Sequence, residues 1–155
     1  MNKNGLSNVY LNNLLTPYCK YFKGVFSCNT IPNFSKNQKF SCIINLSKEN
    51  EEGTHYVSIF YDTKKIEYFD SFGYSNYNYD IQKYLDKLST NIIYNSKTIQ
   101  SIDSFFCGYY CAFFVLMKEN GMSFKKIVDC FSSIDLNNND KLLTEYLEYI
   151  FKIIY

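Results

Sequence analysis

Arginine and tryptophan are absent from this 155-residue chain; alanine occurs once (Ala112), proline twice (Pro17, Pro32), glycine six times and histidine once (His55). Alanine, proline, glycine and arginine use GC-rich codons, whereas the Asn, Lys, Ile, Tyr and Phe that crowd the chain use AT-rich ones. The gene is read as AT-biased, and the sixteen tyrosines as mutational drift rather than a base-stacking surface. An excess of one charge is also missing: 16 Lys against 15 Asp and Glu leave a formal net charge of +1. That excludes the strongly basic footprint of a dedicated nucleic-acid binder, though not a local basic patch. The longest apolar run, residues 105–117, contains Gly108 and is too short to span a bilayer. Residues 1–20 carry no signal-peptide hydrophobic region. A soluble protein from a reducing compartment, without a membrane partner, is expected. The six cysteines (19, 28, 42, 107, 111, 130) contain no C-x-x-C pair, and only one histidine accompanies them, so neither a disulfide framework nor a structural zinc site is expected.

What is present is enough for a core. With 46% hydrophobic and 19% aromatic residues the chain is not disordered, and its length fits one domain spanning 1–155. Residues 4–15 read as a helix with Leu6, Val9, Tyr10, Leu14 and Leu15 on one side. Residues 40–46 (FSCIINL) read as a strand, and 55–62 with 65–70 as a hairpin. Residues 79–88 suit a helix facing inward through Ile81, Tyr84, Leu85 and Leu88; 91–94 and 97–99 suit short strands. Residues 107–118 are apolar nearly all round, the pattern of a helix at the centre of a domain. Helices over 123–131 and 140–154 follow, the last with Leu143, Tyr146, Leu147, Ile150 and Ile154 as its buried stripe. The Asn137–Asn139 run between them reads as low complexity. The order implies an α+β fold: a small, mainly antiparallel sheet packed against a buried central helix.

Four residues stand out chemically. A lone histidine is more often structural than catalytic, but the hairpin gives His55 a partner. If Thr63 and Lys64 form a two-residue turn, paired positions sum to 127, and His55 and Asp70 become diagonal neighbours on one face, with Cβ atoms about 7 Å apart. Asp62 and Glu67 fall on the other face. A one-residue slip would reverse this parity, and Asp70 could equally just end a strand before the turn at 71–73. Cys107 begins the central helix, where the positive end of the helix dipole favours thiolate, and Gly108 after it would let a substrate backbone approach closely. The remaining cysteines fit inert packing. Gln100, at the end of a short strand seven residues before Cys107, could donate from its amide to an oxyanion together with the Cys107 N–H.

The segments GTHYVSIFYD (53–62), EYFDSFG (67–73) and IQSIDSFFCGYYC (99–111) resemble the adenovirus-type maturation cysteine proteases. That family carries a G-x-H-W strand, an acid in a Y-x-F-acid-x-F-G segment, a Gln seven residues before the nucleophile and a C-G-x-x-C helix start. The stretch 21–49 is similar too, so the resemblance covers roughly residues 18–118. It implies the adenain-like, papain-like cysteine-protease fold with Cys107 as nucleophile, His55 as general base, Asp70 as orienting acid and Gln100 as oxyanion donor, and no cofactor. Tyr56 replaces the Trp, leaving a smaller aromatic wall beside His55; Asp70 replaces a Glu, and Ser71 a Pro. The resemblance further implies viral capsid and core precursor proteins as substrates, in the host cytoplasm or viral factory and the virion interior. Length and composition suggest a virophage or polinton-like source of the Mavirus type. Adenoviral relatives use DNA as an activator; here the adjacent basic pairs, Lys64 with Lys65 and Lys125 with Lys126, read as solvated surface. Those relatives also use a peptide disulfide-bonded to a Cys between the acid and the Gln; Ser89 stands at that position, so any peptide activator is expected to be noncovalent. The rival reading is a protease for ubiquitin-like modifiers, which shares the His–acid–Gln–Cys order.

Overall fold

A computed structural model describes residues 6–154. Ser7 caps the first helix, α1 (Asn8–Leu15), by accepting the Tyr10 N–H at 3.2 Å. Five strands follow: β1 (Phe22–Ser27), β2 (Phe40–Asn45), β3 (Tyr56–Tyr61), β4 (Ile66–Phe69) and, after helix α2 (Tyr79–Leu88), β5 (Ile92–Tyr94). The chain ends in α3 (Cys107–Glu119), α4 (Phe124–Asp129) and α5 (Leu136–Ile154). The strands form one sheet in the order β1-β2-β3-β4-β5, antiparallel in the centre and parallel at both edges.

The hairpin register is the one the turn arithmetic requires. Ser58 pairs with Phe69 and Tyr61 with Ile66. Asp62 Oδ1 accepts the Lys64 and Lys65 N–H groups at 2.9 Å each, holding the turn closed around Thr63 at φ 79°. Every residue of β2, β3 and β4 is buried, because helices cover both sheet faces. On one face Ile43, Tyr56, Phe60 and Phe69 meet α1, α3, α4 and α5. On the other Cys42, Ile44, Val57, Ile59 and Tyr68 meet Ile81, Leu85 and Leu88 of α2.

The far end of α3 is tied down twice. Lys118 Nζ lies 2.7 Å from Glu67 Oε2 of β4 and 4.7 Å from the Phe60 ring centroid. Glu119 accepts the Lys20 and Tyr21 N–H groups at 2.7 and 3.0 Å. These contacts fix the helix axis over the sheet and so fix where its N-terminus emerges.

Several expectations are corrected. The first helix begins at Asn8 and buries Leu11 and Leu15, while Val9 and Tyr10 are exposed; starting the helix at its Ser7 cap turns the apolar face toward Leu11, and residues 4 and 5 lie outside the described residues. β1 has no counterpart in the sequence reading, because Lys23 and Gly24 interrupt its apolar pattern and only pairing with β2 makes it a strand. Residues 97–99 form no strand: Ile99 N–H goes to the Ser71 carbonyl and Thr98 Oγ1 to the Phe72 carbonyl. Ser123 caps α4 rather than joining it, accepting the Lys126 N–H. The last helix begins at Leu136 and takes in the asparagine run; Leu143 and Leu147 are buried in it, and the Ile154 side chain lies outside the described residues.

Candidate active site

His55 stands one residue before β3 and Asp70 one residue after β4, so both project from the same edge of the paired hairpin. The His55 carbonyl accepts the Leu46 N–H at 2.9 Å, which anchors its backbone to the chain leaving β2. Its Nε2 lies 2.8 Å from Asp70 Oδ1. The same Asp70 oxygen accepts the Phe72 N–H at 2.8 Å. Asn95, just after β5, clamps the Asp70 backbone from both sides: its Oδ1 accepts the Asp70 N–H at 2.9 Å and its Nδ2 donates to the Asp70 carbonyl at 2.6 Å. Asp70 itself is 1% exposed. The Phe72 ring stacks on the imidazole, centroids 4.7 Å apart at 24°. The turn needs Gly73, at φ +76°, where a Cβ would come within 2.9 Å of the Ser96 carbonyl oxygen.

Cys107 is the first residue of α3. Phe106 precedes it and offers no side-chain cap, so the positive end of the helix faces the cleft uncapped. Strand alternation by itself would put His55 on the α2 side of the sheet and Cys107 on the α3 side. They meet because His55 lies one residue before β3 and Cys107 is the first residue of α3, at the same end of the sheet. Burial pulls the His55 pKa down, but the hydrogen bonds to Asp70 and to Cys107, with the negative charge of both, outweigh it and push it up to about 9. Since Asp70 occupies Nε2, Nδ1 is the nitrogen left for the sulfur.

Gln100 is buried in a bend rather than at a strand end. Its Oε1 accepts the Ser71 hydroxyl at 2.5 Å and its Nε2 donates to the Ser104 carbonyl at 2.8 Å. The amide is thereby oriented, with one Nε2 proton committed and the second available. Ser71, read in the sequence only as a departure from Pro, is the residue that fixes this side chain.

Two local expectations change. Gly108 does not face the cleft: a Cβ there would touch Leu6, Leu11 and Tyr56 at 3.4 Å, so its smallness serves packing of α1 and β3 on α3. The aromatic stacked on His55 is Phe72, while the Tyr56 hydroxyl points to Asn8 Oδ1 at 2.6 Å. No sequence pattern marked Asn95, and the motif that contains Ser71 and Phe72 gave neither a role, because each acts through tertiary contacts.

The thiols differ in a way that can be measured. Burial pushes Cys19 up to about 12, with Glu119 adding to the shift, and burial likewise raises Cys42, Cys111 and Cys130. Cys28 is buried. Cys107 is half-buried and opens onto a groove of about 1730 Å³. Iodoacetamide at neutral pH is expected to modify Cys107 first, as read by peptide mapping; earlier modification of Cys111 or Cys42 would overturn the assignment. The groove passes His55 and Gln100, and exposed Tyr74, Tyr77, Ile102 and Phe105 stand along it.

No protein-family model matches the chain. A protease of bovine adenovirus 2 is 27% identical over 110 residues, which is 61% of this chain and 53% of that protein. The crystal structure of the ASFV pS273R protease superposes with a TM-score of 0.61 and 17% identity, over 92% of this chain and 66% of that one. The fold is that of the adenain-like cysteine proteases. The central domain of an uncharacterized Legionella pneumophila protein, Lpg1148, shares it with a TM-score of 0.54 and 15% identity over 97% of both chains. The chain spans about half the length of the adenoviral protease it matches.

Proposed function

We propose that this chain is a viral cysteine endopeptidase that cleaves capsid and core precursor proteins during virion maturation. The observation that carries the reading is one imidazole bound to Asp70 at 2.8 Å that lines the same groove as Cys107, the first residue of an uncapped helix. Similarity to an adenoviral protease along 61% of the chain supports it. His55 takes the Cys107 proton, or already holds it as an ion pair, and the thiolate attacks the scissile carbonyl. The second Nε2 proton of Gln100 and the Cys107 N–H receive the oxyanion. His55 returns the proton to the leaving amine, and water hydrolyses the thioester, regenerating the thiol. Asp70 holds the imidazole tautomer throughout.

The test is incubation of the purified protein with virion precursor proteins and mapping of new termini by mass spectrometry, with Cys107→Ala as control. Cleavage by the wild type alone supports the reading. Cleavage only after the C-terminal glycines of a ubiquitin-like modifier would replace it with the deconjugase alternative. We place the enzyme in the viral factory and virion of a virophage-like virus.

Activation without a covalent peptide is part of this proposal. Ser89, at the position of the adenoviral activator cysteine, caps the end of α2, its hydroxyl directed to the Lys64 carbonyl at 3.3 Å. No cysteine lies between Cys42 and Cys107. Strong reductant is therefore expected to leave the rate unchanged. Intact-mass spectrometry of particle-derived protein without reductant checks this, and a reducible peptide adduct would overturn it.

A further inference from the structure

The peptide unit joining Ile99 to Gln100 is held at both ends. Its N–H donates to the Ser71 carbonyl at 3.1 Å, and the Ile99 N–H shares that acceptor at 2.9 Å. Its carbonyl, that of Ile99, accepts from Asn139 Nδ2 at 2.7 Å. Asn139 lies in the first turn of α5, forty residues along the chain, and is 1% exposed. Both its Nδ2 protons are used, the second donating to the Ser132 carbonyl at 2.7 Å, and Oδ1 accepts the Ser132 N–H at 2.9 Å. The Tyr110 hydroxyl is a second neighbour of the Ile99 carbonyl at 3.3 Å, but Asp140 Oδ1 is nearer at 2.9 Å. A hydroxyl has one proton, and the closer, charged acceptor takes it. Asn139 is thus the principal donor to the Ile99 carbonyl.

We propose that Asn139 is a positioning residue for the oxyanion donor: from α5 it fixes the peptide plane from which the Gln100 side chain projects. The inference rests on the protease reading and deepens it by giving the C-terminal helix a part in the site. Without Asn139 the peptide keeps its N–H tether and only the long Tyr110 contact at its carbonyl, and can rotate, which swings Gln100 Nε2 away from the developing charge. The Cys107–His55–Asp70 line contains no bond to Asn139 and keeps its geometry.

Two small reagents separate these effects without knowledge of the natural substrate. Acylation by p-nitrophenyl acetate passes through an oxyanion, whereas alkylation by iodoacetamide is a direct displacement at carbon and needs none. In Asn139→Ala the acylation rate of Cys107, after subtraction of the Cys107→Ala background, is expected to fall about tenfold, part of the full loss from one missing oxyanion donor. The alkylation rate is expected to stay within about twofold of wild type. Hydrogen exchange over residues 95–106 should quicken while α3 stays protected. Where Asn139→Ala does not fold, Asn139→Ser keeps a small polar side chain too short to bridge Ser132 and Ile99, and the same ratio is read. Equal falls in acylation and alkylation, or unchanged acylation, overturn the inference. Wild-type acylation no faster than in Cys107→Ala overturns the protease reading itself.

Discussion

His55→Ala is expected to lower kcat by at least on the order of 10⁴ and to leave the protein folded. The imidazole is bound to Asp70 and acts electrostatically on Cys107, so its loss removes the general base, the general acid and the positive partner of the sulfur together. It sits at the end of the central hairpin strands, where truncation opens space to the groove rather than a sealed cavity. Asp70→Asn separates charge from shape. The amide oxygen can still accept from His55 and the Phe72 N–H, but the carboxylate that raises the imidazole pKa is gone. The alkaline limb of kcat/KM should then shift downward. Stability should respond with a definite sign. In the unfolded chain His55 releases its proton near 6.5, whereas the folded protein keeps it until about 9. The contribution is therefore fully present below pH 6.5 and is lost as pH rises through about 9. Tm should fall across that window in the wild type and less steeply in Asp70→Asn; parallel slopes would show that Asp70 does not hold the proton on His55.

Gln100→Ala is the second large effect, a loss of about 10²–10³ in kcat with a folded protein. Its side chain is bonded to Ser71 and Ser104 and to no residue of either hydrophobic core. Truncation leaves the Ser71 hydroxyl without its 2.5 Å acceptor, so a modest drop in Tm is expected alongside the kinetic loss. Ser71→Ala should give a smaller loss of kcat with KM unchanged, because it frees the amide without removing it. Wild-type rates for Gln100→Ala would assign the oxyanion to backbone N–H groups alone.

The sequence by itself determined the local parts: the α2 bounds, the central helix beginning at Cys107, and the hairpin register that places His55 diagonally from Asp70. These follow from period-2 and period-3.6 patterns and from one two-residue turn, all of which act over a few residues. It also marked Gln100, weakly by its place seven residues before Cys107 and specifically only through the family resemblance. Tertiary structure decided the rest. β1 exists only as a partner for β2, and residues 97–99 spend their polar groups on the Ser71 turn instead of on a strand. The stacking of Phe72 on His55, the Asn95 clamp on Asp70, the Ser71 grip on Gln100 and the reach of Asn139 to Ile99 join residues with no mutual periodicity. His55 and Cys107 belong to elements on opposite sides of a strand-alternation argument. They meet because Lys118 and Glu119 pin the far end of α3 to the sheet, which sets its first residue at the edge where the hairpin ends. Such contacts depend on where whole elements come to rest, a property of the packed chain that no local pattern encodes.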